Sequence, residues 1–186
     1  MSRYFAEFID LTNLKRDDEN FIVTIKLFNN TLPKTTNNIS KLFYNPNVKE
    51  LTYRKSKVTR VIAPEYLVQF GDIVRRHVND NNLKMIDNEE CESELPKFNK
   101  KIIGRHGIVI AADKLDDNNE ITTQLCILFV PWGEYDELNG YIPIGECKEW
   151  KKLSEWMGKI KVDSINYEIP QDKGVWIRRC GRLRSK

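Results

Sequence analysis

Residues 58–72 read Val-Thr-Arg-Val-Ile-Ala-Pro-Glu-Tyr-Leu-Val-Gln-Phe-Gly-Asp. The run starts like a half-buried strand, breaks at Pro64, and resumes from Tyr66 to Val68. Two readings fit that pattern. One is an ordinary hairpin carrying a solvated arginine. The other is a strand pair that gathers Arg60, Tyr66, Leu67 and Gln69 at the mouth of a sheet or barrel. Pattern alone leaves both open, and the order of the residues has to choose between them.

Working outward, the chain has 186 residues, enough for one sizeable core and short for two domains. Hydrophobic residues at 40% and charged residues at 31% describe a globular protein and argue against general disorder. No apolar run approaches the length of a membrane span, so no membrane association is expected. The opening Met-Ser-Arg-Tyr-Phe-Ala-Glu lacks the apolar core of a signal peptide, and a reducing compartment is expected. Cys91, Cys126, Cys147 and Cys180 are widely spaced without a Cys-x-x-Cys pair. Neither a zinc site nor a disulfide framework is indicated. His77 and His106 have no second ligand-type residue at metal spacing and read as surface histidines; no metal and no cofactor are expected. The net charge of +3 is small. It is unevenly spread: 87–94 is an acidic run and 178–186 a basic tail, both expected to be solvated faces able to steer a partner of opposite charge.

Residues 4–11 and 21–28, rich in β-branched and aromatic side chains, predict two strands joined by a polar loop. The stretch 33–43 begins with a proline suited to a first helical turn and spaces Ile39, Leu42 and Phe43 for a helix. Two nearly wholly apolar runs, 107–112 and 124–130, predict strands on either side of a polar loop. A second helix is expected from Glu146 to about Lys159, with Trp150, Leu153, Trp156 and Met157 on one face. A last strand is expected from Val175 to Cys180. No repeat or linker divides the chain, so one domain over 1–186 is expected.

The order Arg60-Val61-Ile62-x-x-x-Tyr66-Leu67-Val68-Gln69-x-Gly71-Asp72 resembles the central motif of the cyclophilins, the peptidyl-prolyl isomerase family, with one extra residue around Pro64. Leu27-Phe28-Asn29, Pro33-Lys34-Thr35, Asn38 and Leu42 resemble that family's approach to its first helix. Gly107 to Ala112 and Cys180-Gly181-Arg182-Leu183 resemble its later landmarks. The resemblance implies a mainly β fold, a closed antiparallel eight-stranded barrel capped by two α-helices. It also implies a catalytic role for Arg60 and a substrate groove formed by Tyr66, Leu67, Gln69, Ala112, Asp113, Gln124, Cys126, Glu137, Leu138 and Tyr141.

Several of those positions depart from the family. Cys126 falls where a phenylalanine floors the proline pocket, with Leu125 replacing the phenylalanine beside it. Asp113 replaces an asparagine, Tyr141 a rim histidine, and Glu137 the tryptophan that also lines the cyclosporin site. Phe70 stands where the motif has a glycine, and 73–82 contains no glycine where the family has a glycine-rich loop. Asp136-Glu137-Leu138-Asn139 and the basic approach 96–101 are similar to the spliceosome-associated cyclophilins of the Cwc class. That similarity implies a nuclear scaffold subunit with weak or no isomerase activity, monomeric as an isolated domain, and bound to spliceosomal proteins. Members usually carry a charged tail beyond the barrel, so the chain is also readable as the N-terminal domain of a longer protein. A weak, nonspecific RNA contact through the basic tail is the remaining expectation. The alternative is a slow isomerase with altered substrate preference.

Overall fold

The structure is a computed structural model that describes residues 2–45, 52–73, 94, 100–114, 123–170 and 173–184; the side chains of Asp113 and Lys114 lie outside that description. Eight strands follow in order: β1 (Arg3–Asp10), β2 (Asn20–Leu27), β3 (Val58–Ile62), β4 (Leu67–Phe70), β5 (Ile108–Lys114), β6 (Leu125–Leu128), β7 (Tyr141–Cys147) and β8 (Val175–Leu183). Two α-helices accompany them, α1 (Pro33–Phe43) and α2 (Trp150–Met157). The strands form one antiparallel sheet in the order β3-β4-β6-β5-β7-β2-β1-β8. Its two ends meet where Lys57 bridges Trp176 and where Ile177 exchanges backbone hydrogen bonds with Lys55 and Ser56, at 2.7 and 2.9 Å. The result is a nearly closed barrel, which satisfies the backbone groups that two free edges would expose. The mainly β cyclophilin-like fold expected from the motifs is therefore the observed one.

Alternation along each strand divides inside from outside. Ala6, Phe8, Val23, Ile25, Val68, Phe70, Val109, Leu125 and Ile127 point inward and belong to one buried cluster. Phe70 packs edge-on to Phe8, with centroids 5.4 Å apart. Phe43 of α1 lies 5.4 Å from Tyr4, while Trp156 of α2 lies 5.8 Å from Phe21. Those partners sit at opposite ends of the β1–β2 hairpin, so each helix seals a different end of it.

Four expectations need correction. Helix α2 starts at Trp150, not Glu146, because β7 continues through Cys147; there Cys147 N–H donates to the Gly107 carbonyl at 2.7 Å. The last strand runs to Leu183, since residues 180–183 pair with residues 3–6 of β1. Much of the expected tail is thus barrel wall, with Arg179 bonded to the buried Glu7 carboxylate. Ile73, read as the first residue of a groove loop, is fully buried in the core. Finally, Glu94 is not part of a solvated acidic face. It is 2% exposed and accepts hydrogen bonds from Lys34 N at 2.6 Å, Thr35 N at 3.0 Å and Thr35 Oγ1 at 2.8 Å. Leu32, the residue at the N-cap of α1, offers no side-chain acceptor, so a carboxylate distant in sequence satisfies the first-turn N–H groups and complements the helix dipole. The rest of that run, with His77 and Cys91, lies outside the described residues.

The loop between β1 and β2 is more structured than its polarity suggests. Arg16 bonds Asp10 at 2.8 Å and the Trp156 carbonyl at 3.0 Å, and its guanidinium lies 4.2 Å from the Trp156 ring. A cation stacked on an indole and directed at the last carbonyls of α2 is favourable on both counts.

Candidate functional site

Strand β3 carries an irregularity that aims the groove. Val58 and Val61 are both buried in the barrel, although three residues apart they would face opposite sides of a regular strand. A register shift between Val58 and Arg60 resolves the conflict, as a bulge does by inserting one residue. Arg60 then sits opposite Gln69, with its side chain exposed on the outer wall. The pairing continues across the sheet from Gln69 to Cys126 and from Cys126 to Ile110. One row of outward side chains therefore runs from a cation through an amide to an apolar patch.

The polar half of the row is a groove of about 280 Å³ lined by Thr59, Arg60, Gln69, Gln124, Asn166 and Glu168 among others. Gln69 Nε2 donates to Gln124 Oε1 at 2.8 Å, fixing both amides. Behind them, Gly71 has φ +92°, and a Cβ there would meet Tyr53 Cε1 at 2.7 Å. Tyr53 itself is fully buried and donates to the Thr123 carbonyl at 2.8 Å. Only glycine allows β4 to end this close to the residue that precedes Gln124.

The sequence reading missed the other wall. Val61 N–H donates to the Tyr167 carbonyl at 2.9 Å, and the Tyr167 ring centroid lies 6.0 Å from the Arg60 guanidinium carbon. Tyr167 has φ +58°, a left-handed conformation that is uncommon for an aromatic residue. Asp163 holds that turn, accepting from Ile165 N at 2.9 Å and Asn166 N at 2.6 Å. These backbone donors, led by Asn166, keep its carboxyl below the usual carboxylate range. The signal was legible in part, because Asp-Ser-x-Asn is a turn-forming composition. Nothing local says that the turn lands on β3.

In the apolar half, Leu67, Cys126 and Leu138 are 6%, 4% and 4% exposed and share an outer cluster with Ile110 and Leu128. Tyr66, Ala112 and Tyr141 pack against it, partly buried. Glu137 is exposed on the short 3-10 turn Asp136–Leu138. Burial, then a hydrogen bond to the Glu137 carboxylate, pushes the Tyr66 phenol above its ordinary value. Tyr135 packs edge-on to Tyr66 with centroids 5.8 Å apart.

Ten of the expected site residues thus fall along one outer wall; the side chain of the eleventh, Asp113, lies outside the described residues. Two departures noted in the sequence are not groove features. Leu125 and Phe70 point into the barrel, so their identities concern the core. Among the described residues, no group of three or more His, Cys, Asp or Glu side chains could hold a metal ion. No helix among them is long and apolar enough to cross a membrane.

A guanidinium on the same outer wall as an apolar patch can act on a bound proline. The barrier to peptide-bond rotation, roughly 18–20 kcal/mol, reflects delocalisation of the nitrogen lone pair. A donor aimed at that nitrogen favours the twisted state in which the lone pair is localised.

An eight-stranded barrel closed by a few bonds between residues 55–57, just ahead of β3, and β8, with an arginine–glutamine groove on its outer wall, defines the class. The family model described as cyclophilin type peptidyl-prolyl cis-trans isomerase/CLD matches residues 14–182, and the chain belongs to this family. No curated protein matches it.

Proposed function

We propose that this chain is a cyclophilin domain with little isomerase activity that serves as a nuclear scaffold subunit in pre-mRNA splicing, bound to spliceosomal proteins. The observation that carries the reading is the makeup of the apolar half. A small thiol side chain, Cys126, occupies the patch beside Gln69, and the carboxylate of Glu137 is tied to Tyr66 at its margin. A proline ring packed there meets less apolar surface than an aromatic floor would provide, at about 25 cal/mol per Å² of area lost. Nearby negative charge is also poorly matched to peptide carbonyls. Loss of the pocket alongside retention of the barrel supports a role in binding through other surfaces. The similarity of residues 136–139 to the Cwc class supplies the splicing context.

A second reading, slow isomerisation with altered substrate preference, is favoured by the intact polar half, where Arg60 faces Gln69 and Gln69 bonds Gln124. Two measurements separate them. Affinity purification of the intact protein from nuclear extract is expected to recover splicing proteins and snRNA. Recovery of neither, together with ordinary turnover of a proline tetrapeptide that Arg60→Ala abolishes, would establish the enzyme reading.

A further inference from the structure

Around the barrel from the groove, the outer wall at β2 and β7 carries a larger cleft of about 540 Å³. Four cationic side chains line it, Arg3, Lys26, Arg105 and Lys148, against a single carboxylate, Glu146. Glu146 pairs with Arg105 and, at 3.6 Å, with Lys26. Among the described residues Arg3 and Lys148 have no ion-pair partner, and both are exposed. An excess of unneutralised cations in a concave site concentrates anions.

The cleft also holds a constructed aromatic platform. Gly107 has φ +72°, and a Cβ there would meet the Cys147 carbonyl at 2.5 Å and Trp150 Cδ1 at 2.7 Å. Lacking that atom, the backbone lets the indole of Trp150 settle against it. His106 stacks on the indole, with centroids 4.7 Å apart and planes 16° from parallel. Trp150 packs partly against the core while His106 is exposed. One ring is thereby anchored and the other is presented to solvent as a flat face.

We infer that this cleft binds single-stranded nucleic acid, with a base stacked on the outer face of His106 and adjacent phosphates on Arg3, Lys148 and Arg105. Cations beside an exposed ring are the two elements that sequence-tolerant single-strand sites combine. An acidic peptide would engage the cations and leave the ring unused. The site is separate from the Arg60 groove, so it does not depend on whether the domain isomerises prolines; through Arg3, which pairs with Leu183, it adjoins the basic end of β8.

The test is fluorescence anisotropy of a labelled short oligouridylate titrated with the 1–186 chain between about 50 and 200 mM salt, the range over which phosphate-driven binding falls steeply. Binding is expected to weaken about tenfold in His106→Ala and to persist in His106→Phe, which keeps a ring. Arg3→Ala and Lys148→Ala are each expected to lower the slope of log K against log salt by about 0.7, the value for one phosphate contact on a single strand. All three positions are exposed, and thermal melts confirm that each variant is folded. The inference is overturned by no binding at the lowest salt or by equal binding in His106→Ala. It is also overturned if oligoglutamate competes as well as the RNA, which indicates an acidic protein partner. Binding of uridine monophosphate as tightly as the oligomer points to a free nucleotide instead. Loss confined to Arg182→Ala and Arg184→Ala assigns the contact to the chain's basic end and likewise overturns it.

Discussion

The two halves of the outer groove are made by the same strands, yet they differ in what holds them. In the polar half, Arg60 is aimed by a bulge, braced by the turn at Tyr167, and flanked by two glutamines bonded to each other at 2.8 Å. Gln69 and Gln124 hold each other by a directional bond, and the exposed Arg60 guanidinium lies 6.0 Å from the Tyr167 ring. The apolar half depends mainly on area and shape: Cys126, Leu67 and Leu138 share a packed cluster, and Tyr66 packs against it with its hydroxyl bonded to Glu137 at the margin. Directional contacts are lost all at once when a partner changes, whereas apolar contact declines in proportion to the surface removed. The two ends of the groove can therefore change independently, and the barrel is unaffected because its own core faces the other way.

The largest expected effect tests whether the polar half alone suffices. Isomerisation of a proline tetrapeptide by the purified chain should run at least about 100-fold below that of an active cyclophilin, roughly 2.7 kcal/mol of lost transition-state stabilisation. Any residual rate should vanish in Arg60→Ala. Full activity, measured by exchange NMR, breaks the contrast between the halves.

Rebuilding the apolar half comes next. Cys126→Phe with Glu137→Trp should raise proline-peptide affinity about tenfold, near 1.4 kcal/mol, and should create measurable cyclosporin binding that the parent chain lacks. Calorimetry on both proteins checks this. Tight cyclosporin binding by the parent would mean the pocket is already complete.

A smaller change is expected on the polar side. Gln69→Ala removes one partner of the Gln69–Gln124 bond, which is part-buried, so peptide binding should weaken by about 1 kcal/mol, or fivefold. The melting temperature should move little. An equal loss in Cys126→Ala, which removes only a small side chain from the apolar half, would erase the distinction drawn between the halves.

The smallest effect is electrostatic. Burial and the Glu137 carboxylate both hold Tyr66 in its neutral form, with its pKa raised. The stability this contributes is complete below the unfolded phenol value of about 10 and is lost as pH rises through the higher folded value. In an ultraviolet titration, Glu137→Gln should bring the Tyr66 step down, and Tyr66→Phe should remove it. A step that stays put in Glu137→Gln would remove the carboxylate from this margin of the groove.

Much of this molecule was legible from its residues in order. The alternating runs at 4–11, 21–28 and 107–112 mark strands because burial on one side of a pleated ribbon repeats every second residue. Pro33 and the spacing of Ile39, Leu42 and Phe43 mark α1 for an equally local reason. The motif from Arg60 to Asp72 brought Arg60 and Gln69 together, since they lie opposite each other in one strand pair. Sequence order could not say which pocket departures matter. Leu125 and Cys126 are adjacent in the chain, and only the register of β6 shows that the first faces the core and the second the groove.

Other features arose where distant segments meet. Glu94 is an acidic residue in a charged run until the fold sets it on the first turn of α1, where unpaired N–H groups need an acceptor that Leu32 cannot be. The turn around Tyr167 becomes a wall of the Arg60 groove because the Tyr167 carbonyl accepts from Val61 N–H, which sets Asn166 and Glu168 beside Arg60. His106, a lone surface histidine in sequence, becomes half of an aromatic stack because Gly107 leaves room for Trp150, 43 positions later. Strand and helix identity come from short-range periodicity, which a sequence displays. Caps, walls and platforms come from closure of the barrel, which brings together groups whose separation along the chain carries no local signal.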